Sequence, residues 1–378
     1  MKIVMIGPVY PYTSGLSYYV SLLYRQLCKD HEVTLLSYSF QYPQFLYKRP
    51  QKDFEDDSLK IDEAQYVLNT ANPISCIKTA GMINNISPDL VIFQWLHPYF
   101  APCYSMIAKR IKKARILFMC HNVFPHERFP FDRFLTKMTL SKGDHFTVHA
   151  KSDADDLYSI LPDADVTVTV HPAYNFFKQK DLTKEESRKL LSIGDNTRVL
   201  LFFGLVRPYK GLKHLLDALK IIKEKDPKNS QDLLLLIAGD FSGSRPEYDE
   251  IIARHGIADL ISITDGHIPI SEVEKFFAAC DLVVLPYEDA TQSGVIQVAY
   301  SFDKPVLATR VGGLPDVVFD GETGYLVDPK RPDLIADSIN DFFENDKAAA
   351  LASGIEREKY RYSWDKMEKI ITEFKKEK

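Results

Sequence analysis

Short apolar runs alternate with amphipathic segments along almost the whole chain. Each run is a few residues long, is rich in Val, Ile, Leu and Phe, and lacks a strict alternation of apolar and polar positions. This pattern is typical of strands that are buried on both faces of a parallel sheet. The predicted strands are Lys2–Ile6, Val33–Ser37, Leu90–Gln94, Arg115–Cys120, His145–Val148, Val166–Val170, Val199–Phe203, Leu233–Ala238, Ile261–Thr264, Leu282–Leu285, Val306–Ala308 and Gly324–Leu326.

The segments between these runs space their apolar residues as a helix does. Examples are Ser17–Cys28, Lys213–Lys225, Ile270–Ala279 and Pro332–Glu344. Because strands and helices alternate, we expect an α/β fold with doubly wound parallel sheets.

The series of predicted strands begins twice, at Lys2 and again at Val199, and a polar segment without a clear strand separates the two series. We therefore predict two Rossmann-like domains, an N-terminal one over residues 1–175 and a C-terminal one over residues 176–355. A charged amphipathic helix is predicted over the last residues, 356–378. Ligands of such sheets bind at the carboxyl ends of the strands, so two sheets that face each other would enclose a binding cleft.

The composition is that of a globular protein. Of the 378 residues, 45% are apolar and 26% are charged, and the formal net charge is -5. Such a chain is not expected to be disordered, and it lacks the overall positive charge that attracts nucleic acid. The five cysteines show no Cys-x-x-Cys spacing, unlike a disulfide framework or a zinc knuckle.

The first apolar run is too short for a secretory leader, and no apolar stretch approaches the roughly 20 residues that span a bilayer. We therefore expect a soluble, cytoplasmic protein. A basic run at 108–115 allows a weak peripheral contact with anionic lipid at the inner face of a membrane, although a solvated helix face explains it more simply.

The loop after the predicted strand Val199–Phe203 contains two cations. Arg207 and Lys210 are followed by Gly211 and then by a helix. Backbone N–H groups and the helix dipole favour an anion at the start of a helix. An arginine offers a bidentate fork and a lysine a point charge, and this pair suits a diphosphate. The alternative is an exposed basic turn without a ligand.

A second loop, after Leu282–Leu285, combines carboxylates with small residues. Small residues at the start of a helix allow backbone amides to approach a phosphate closely. The candidate ligand contacts of this loop are Asp289, Gln292, Ser293, Gly294 and Val295. Ser293 is alternatively a plain helix cap, and Asp289 and its neighbour Glu288 either bind hydroxyl groups or are only solvated.

Polar residues also follow predicted strands of the N-terminal domain. His121 and Asn122 come directly after Arg115–Cys120, and His126 and Glu127 lie a few residues further on. A histidine at a strand end can donate to a substrate hydroxyl, although many such histidines are structural. Gly15 precedes the first predicted helix, where its backbone can approach either a donor diphosphate or an acceptor, and it is predicted to bind the donor.

Together, these loops resemble the retaining glycosyltransferases of family four, which have the GT-B fold of two Rossmann-like domains across a cleft. The resemblance covers nearly the whole chain. Its strongest parts are GLVRPYKGLKHLLDAL and the stretch from DLVVLPY to GYLVDP, and HNVFPHE and Tyr362-Ser363-Trp364 also resemble members of the family. The resemblance implies transfer of a sugar from a nucleotide-sugar donor to a glycan or glycolipid hydroxyl, as in polysaccharide or glycolipid synthesis, with retention of configuration.

The resemblance also implies roles for single residues. Arg207 and Lys210 would bind the donor diphosphate, His121 would be the histidine of the cleft, and Gly15 would be the glycine of the N-terminal loop. The departing phosphate oxygen can take the acceptor's proton, so neither a dedicated base nor a metal cofactor is expected.

The family further implies a division of labour between the domains. The C-terminal domain would bind the donor, and the N-terminal domain would lie on the acceptor side, where Asn122, His126 and Glu127 are candidate contacts. The final helix would pack back on the N-terminal domain.

Two departures from the family pattern concern the donor. The family's Glu-x7-Glu motif is missing, because Ala290 and Val298 stand at its two positions, and Asp289 is the nearest replacement for the first acid. The usual Gly-Gly pair of the first loop is Ser14-Gly15. The missing glutamates leave open a catalytically degenerate sugar-nucleotide-binding subunit.

The same sequence features also bear on three other classes of enzyme. A non-hydrolysing sugar-nucleotide epimerase shares the two-domain fold and stays an alternative. A nicotinamide-dependent enzyme is disfavoured because the first turn lacks the G-x-G-x-x-G fingerprint. Two Asp-x-Asp pairs, at 153–155 and 163–165, match a pattern of metal-dependent glycosyltransferases, but the first falls at a predicted helix start, where aspartate caps amides.

Overall fold

A computed structural model describes residues 1–12, 14–43, 51–54, 57–125, 128–227 and 229–374. The chain forms two compact units. The first comprises Met1–Val170 together with Trp364–Lys378, and the second comprises His171–Ser363. Each unit is built on one parallel sheet, so the α/β class and the two Rossmann-like sheets expected from the sequence are confirmed.

The first unit contains a parallel sheet of seven strands. Strands β1 to β7 are Lys2–Ile6, Glu32–Phe40, Gln65–Asn69, Leu90–Trp95, Arg115–Cys120, His145–Val148 and Val166–Val168. Their order in the sheet is β3-β2-β1-β4-β5-β6-β7. Helices α1 to α5 are Gly15–Leu27, Pro73–Ile86, Ala101–Ala108, Asp132–Leu140 and Lys151–Tyr158.

The second unit repeats this plan with six strands. Strands β8 to β13 are Arg198–Phe203, Leu233–Gly239, Ile261–Asp265, Leu282–Leu285, Val306–Thr309 and Gly324–Val327. They lie in the order β10-β9-β8-β11-β12-β13. Helices α6 to α12 are Lys184–Leu190, Leu212–Lys225, Arg245–His255, Ile270–Ala279, Gly294–Ser301, Pro332–Glu344 and Ala348–Glu358.

The central strands are buried on both faces, as their continuous apolar sequence predicts. Ile3, Val4, Met5 and Ile6 of β1 are all 0% exposed, and so are the four residues of β11, Leu282–Leu285. Removing an aliphatic side chain from water stabilises the folded state by about 1.5–3 kcal/mol, so these strands anchor the loops that leave them. No helix in the described part of the chain is long and apolar enough to cross a membrane.

The strand order of each sheet reverses once. In the first unit, β1 is flanked by β2 and β4, and in the second, β8 is flanked by β9 and β11. Parallel sheets of this kind bind ligands outside the carboxyl ends of the strands at the point of reversal. The loops after β1 and β4, and those after β8 and β11, are therefore the places to look for a site.

The single C-terminal helix predicted over 356–378 is wrong, because the chain breaks within it. Helix α12 ends at Glu358, a short 3-10 turn covers Lys359–Tyr362, and a new helix, α13, covers Trp364–Glu373. The Tyr362 carbonyl accepts a hydrogen bond from the Ala173 N–H at 2.8 Å, and the Tyr362 hydroxyl donates to the Val317 carbonyl at 3.0 Å. These contacts within the second unit hold the turn out of helical geometry.

Candidate active site

In the second unit, the two candidate loops leave adjacent strands. Strands β8 and β11 pair in parallel, with Leu200 opposite Leu282 and Leu201 opposite Val283. The loop that carries Arg207 follows β8, and the loop that carries Asp289 follows β11. The strand order reverses between these two strands, so both loops lie at the switch point of the sheet.

Arg207 and Lys210 bracket a 3-10 turn, Pro208–Lys210, that leads into α7. The Lys210 N–H donates to the Arg207 carbonyl at 2.9 Å and so closes the turn. The Lys210 ammonium lies 5.5 Å from the centre of the Tyr287 ring. Across the described ranges, neither the Arg207 guanidinium nor the Lys210 ammonium pairs with a carboxylate. Both charges are therefore available to an anion.

Glu288 fixes the β11 loop against the start of α7. Its Oε1 lies 2.8 Å from His214 Nε2 and 3.2 Å from Lys213 Nζ, and its Oε2 lies 3.1 Å from Lys330 Nζ. Its backbone N–H donates to the Tyr209 carbonyl at 2.6 Å, within the 3-10 turn Pro208–Lys210, which is called the cationic turn below. The Glu288 carboxylate is thus engaged by protein cations, which leaves Asp289 as the exposed acid of this loop.

The cations around Glu288 lower the pKa of its carboxyl group. Burial by itself raises the pKa of this carboxyl, but the hydrogen bonds from His214, Lys330 and Lys213 outweigh that effect and lower the pKa to about 2. Glu288 is therefore ionised throughout the neutral range. The sequence alone left Glu288 either as a hydroxyl contact or as a solvated residue, because its partners in the fold lie far away along the chain.

Two glycines let the loops of this edge pack backbone to backbone. Gly211 has φ 66°, and a Cβ there would lie 1.9 Å from the Pro286 carbonyl oxygen. Gly312 has φ 47°, and its Cβ would lie 1.4 Å from the Ala290 carbonyl oxygen. Any other residue at either position would both strain the backbone and push the β11 loop away from its neighbour.

The remaining candidates of this unit surround the start of α10. Gln292, Gly294 and Val295 are half-buried. Ser293 occupies the N-cap position, but its side chain makes no capping hydrogen bond. The N–H groups of Gly294 and Val295 also have no acceptor among the residues that the structure describes. The first turn of α10 therefore points unsatisfied donors and the positive end of its dipole outward.

Ala290 and Val298, where the family pattern has acids, are buried. Ala290 is 4% exposed and Val298 is 6% exposed. Small apolar side chains thus fill positions at which carboxylates would have to be either paired or in contact with a ligand.

In the first unit, His121 follows β5 and contacts Gln94 on the neighbouring strand β4. The Gln94 Oε1 lies 2.7 Å from His121 Nε2, and the two residues are 1% and 4% exposed. The Tyr19 ring meets the imidazole edge-on, with ring centres 4.9 Å apart. Burial, with a smaller contribution from the charge of His149, holds the pKa of His121 well below its usual range. His121 is therefore a neutral imidazole near pH 7, and its Nε2–H donates to the Gln94 carbonyl oxygen.

The other candidates of this unit lie near the same edge of the sheet or beyond the described residues. Gly15 is the first residue of α1, and a Cβ there would meet no atom within 4 Å. Asn122 is half-buried directly after His121. His126 and Glu127, the further acceptor-side candidates, lie outside the described residues.

One aspartate of each Asp-x-Asp pair has a side-chain contact within the first unit. Asp153 is 2% exposed, and its Oδ1 accepts from the Val123 N–H at 3.4 Å, which ties α5 to the loop after His121. Burial raises the pKa of Asp153 to about 7. Asp165 lies 2.7 Å from His145 Nδ1.

These features match a known family in the second unit. Residues 183–359 match the family described as glycosyl transferases group 1. The matched range lies wholly within the second unit, His171–Ser363. The matched range contains the cationic turn, Glu288, α10 and both close-packed glycines.

Curated relatives share part of the chain. The D-inositol 3-phosphate glycosyltransferase of Corynebacterium diphtheriae is 30% identical over 223 residues, which cover 57% of this chain and 51% of the relative. The enzyme of the same name from Corynebacterium glutamicum is 32% identical over 202 residues, which cover 53% of this chain and 46% of the relative. The matches to these curated relatives span about half of their length.

Solved structures share the fold along the whole chain. HepE of Anabaena, in a complex with UDP, matches with a TM-score of 0.74 at 18% identity, over 99% of both chains. The sucrose-phosphate synthase of Thermosynechococcus elongatus matches with a TM-score of 0.73 at 16% identity, over 98% of this chain and 97% of the other. The fold expected from the sequence resemblance is therefore confirmed.

Proposed function

We propose that this protein transfers a sugar from a nucleotide-sugar donor to a hydroxyl group of a glycan or glycolipid, with retention of configuration and without a metal cofactor. The observation that carries the proposal is the pair Arg207 and Lys210, which lie in the range that matches the glycosyl transferases group 1 family and have no carboxylate partners among the described residues. A donor diphosphate would supply the missing negative charge.

In the proposed reaction, the second unit holds the donor. Arg207 and Lys210 neutralise the diphosphate as it departs, and the open amides of Gly294 and Val295 add donors at a helix start. Because two protein cations stabilise the leaving group, we propose that no metal ion is needed. Asp289, Gln292 and Ser293 are the proposed contacts to the rest of the donor.

The first unit is the proposed acceptor side. His121 is neutral and buried, so it acts as a hydrogen-bonding group and not as a cation. Gly15, with open space where a side chain would stand, lets the backbone come close to a substrate. The acceptor hydroxyl attacks the sugar on the face that the diphosphate leaves, and the departing phosphate oxygen takes the hydroxyl proton.

The decisive test is a product assay with a panel of nucleotide sugars. Purified protein with a chelator is incubated with each donor, first alone and then with candidate glycan and glycolipid acceptors. NMR of the product reports the anomeric configuration. We expect slow donor hydrolysis without acceptor and a product with the donor's configuration. An inverted product would overturn the retaining mechanism, and turnover that requires added metal would overturn metal independence.

A sugar-nucleotide-binding subunit without catalysis is the second candidate. It is favoured by Ala290 and Val298, whose burial leaves the usual acid positions without carboxylates. Thermal stabilisation by a nucleotide sugar without product from any acceptor would favour this candidate. Interconversion of the donor into its epimer would instead identify an epimerase.

We also propose that the protein works at the cytoplasmic side of a membrane that presents a lipid-linked acceptor. In the basic run 108–115, the side chains of Lys109, Arg110, Lys112 and Lys113 are exposed. Arg115 is less exposed, because its guanidinium packs 4.5 Å from the centre of the Phe374 ring.

A further inference from the structure

Helix α4 of the first unit exposes two large aromatic side chains. Phe131, which precedes the helix, is 77% exposed, and Phe134, in its first turn, is 65% exposed. The opposite face of α4 is buried through Thr136, Thr139 and Leu140, each 0% exposed. The helix is thus anchored on one side and presents phenylalanine on the other.

The backbone at Phe131 makes this exposure more unusual. Phe131 has φ 71° and ψ 0°, in the left-handed region that glycine and asparagine adopt most readily. Its carbonyl accepts from the Leu135 N–H at 2.9 Å, as expected at the start of a helix. A small or polar residue would serve this helix start with less strain. The helix start by itself therefore does not account for a bulky apolar side chain here.

Basic residues lie close in sequence to the two phenylalanines. Residues 128–142 contain Arg128, Arg133, Lys137 and Lys142 and a single acid, Asp132. That acid is buried at 5% exposure, and Arg128 binds its carboxylate. Within the described ranges, Lys137 and Lys142 pair with no carboxylate. The exposed face of α4 therefore carries a net positive charge around an apolar centre.

Acidic groups of the neighbouring helix only partly offset this charge. Asp156 of α5 lies close enough to Arg128 and Arg133 to feel both guanidinium groups, and Arg133 also donates to the Ser159 carbonyl at 2.5 Å. Lys137 of α4 and Lys142, two residues after the helix, keep their charge available for an external anion.

We propose that this face of α4 docks the first unit on a membrane surface that contains anionic lipid. Phe131 and Phe134 insert at the level of the headgroups, and Lys137, Lys142 and the outer edge of Arg133 pair with lipid phosphates. Aromatic side chains at the interface combined with basic residues are what such a surface binds. The docking needs no donor and no turnover, so its failure would leave the proposed glycosyl transfer untouched.

Two other surfaces lack one half of this combination. The basic run 108–115 has exposed lysines but no exposed large apolar side chain in the described structure. Helix α2 exposes Ile74 at 62% and Ile77 at 47%, but Lys78 is the one basic residue of that helix. These surfaces supply matched controls.

The test is flotation of the full chain with vesicles of phosphatidylcholine, with and without about 30% phosphatidylglycerol. The anionic lipid gives the vesicles a negative surface, like that of a cytoplasmic leaflet. We expect the wild type to float with the anionic vesicles and not with the neutral ones. Phe131→Ser/Phe134→Ser and Lys137→Glu/Lys142→Glu should each reduce the bound fraction at least about tenfold, as expected when insertion or headgroup attraction is lost. Ile74→Ser/Ile77→Ser should bind as the wild type does. Lys109→Glu/Lys113→Glu should lose much less binding than either α4 variant, because the basic run attracts anionic lipid but has no aromatic side chain to insert.

Unchanged flotation of the phenylalanine variant would overturn the proposal, and so would equal losses in the control variants. All substituted side chains are exposed, so thermal unfolding should show the same midpoint in every variant. As a second measurement, Phe134→Trp should show a blue shift of fluorescence on anionic vesicles alone. Concentration-dependent dimerisation that the phenylalanine variant abolishes, without any vesicle binding, would assign the face to a second copy of the chain instead.

Discussion

The amide oxygen of Gln94 lies 2.7 Å from Nε2 of His121, and both side chains are almost fully buried. Gln94 therefore holds His121 in the tautomer that carries its proton on Nε2. The contact joins the ends of adjacent strands, β4 and β5, in the sheet of the first unit.

Replacing Gln94 tests whether this contact positions His121 for transfer. Gln94→Leu leaves a buried N–H without an acceptor, at a cost of about 1–3 kcal/mol, and we expect kcat to fall roughly tenfold or more with little change in the donor KM. Gln94→Glu keeps an acceptor and adds a negative charge, which raises the pKa of His121. The acidic limb of its pH–rate profile should therefore move to higher pH. A kcat for the leucine variant equal to that of the wild type would rule out a positioning role.

Replacing Arg207 or Lys210 should reduce the rate of transfer far more than it reduces the stability of the fold. We expect Arg207→Ala and Lys210→Ala each to reduce kcat/KM by ~10²-fold or more, the scale of losing one preorganised charge-stabilising donor. Whichever nucleoside diphosphate stabilises the wild type in thermal unfolding should stabilise both variants less.

The matched control is Lys220→Ala, on α7. Its ammonium lies 3.6 Å from the exposed carboxylate of Glu224, a helical pair that contributes little to stability. Turnover in this variant should equal that of the wild type. Near-normal kcat/KM in both Arg207→Ala and Lys210→Ala would instead remove the basis of the proposed diphosphate site.

Glu288 should stabilise the second unit in a pH-dependent way. Its pKa is about 2 in the folded protein, below the value of roughly 4.3 in an unfolded chain. The carboxylate thus adds stability above about pH 4.3, and that stability is lost as pH falls toward 2. Glu288→Gln should lower the unfolding midpoint at pH 7 by about 2–4 °C, equivalent to about 1 kcal/mol for a unit of this size.

The difference between Glu288→Gln and the wild type should shrink as the pH is lowered below about 4.3. Asp289→Asn serves as the control, because Asp289 is exposed and has no ion pair within the described structure. Its unfolding midpoint should follow the wild type at every pH. If the unfolding midpoint of Glu288→Gln lay below that of the wild type by the same amount from pH 7 to pH 3, the ionised Glu288 carboxylate would not be what stabilises this unit.

Two glycines should respond in opposite ways to the same substitution. Gly15→Ala meets no atom within 4 Å, so stability should be retained, whereas a substrate that approaches the backbone would be displaced and kcat/KM should fall by up to ~10²-fold. Gly312→Ala drives a Cβ into the Ala290 carbonyl and should lower the unfolding midpoint by several degrees. Unfolding scans and donor turnover on the same samples separate the two effects. Full activity of Gly15→Ala would show that no substrate comes close to this residue.

The sequence predicted the buried strands well, because their signal is local. Lys2–Ile6, Arg115–Cys120 and Leu282–Leu285 were predicted with the bounds that the structure has. Strand β3, Gln65–Asn69, was not predicted. It is the edge strand of its sheet, and only Leu68 among its residues is buried, so it lacks a continuous apolar run.

What the sequence could not predict depends on partners that are distant along the chain. Glu288 meets Lys213, His214 and Lys330 only because the fold brings β11 beside α7. Gln94 looks like an ordinary strand residue until β4 and β5 are paired. The break before Trp364 likewise arises from contacts that Tyr362 makes with residues much earlier in the chain.

Helix α13 has a consequence for how the protein is made. It belongs to the first unit, where the Gln26 Nε2 donates to Asp365 and Glu368 at 2.8 and 2.6 Å, and Met367 and Ile371 are 1% and 0% exposed. The ribosome therefore synthesises α1 before the second unit and α13 only after it. The whole second unit can fold in the interval, while the first waits with the α13-binding surface of α1 uncovered.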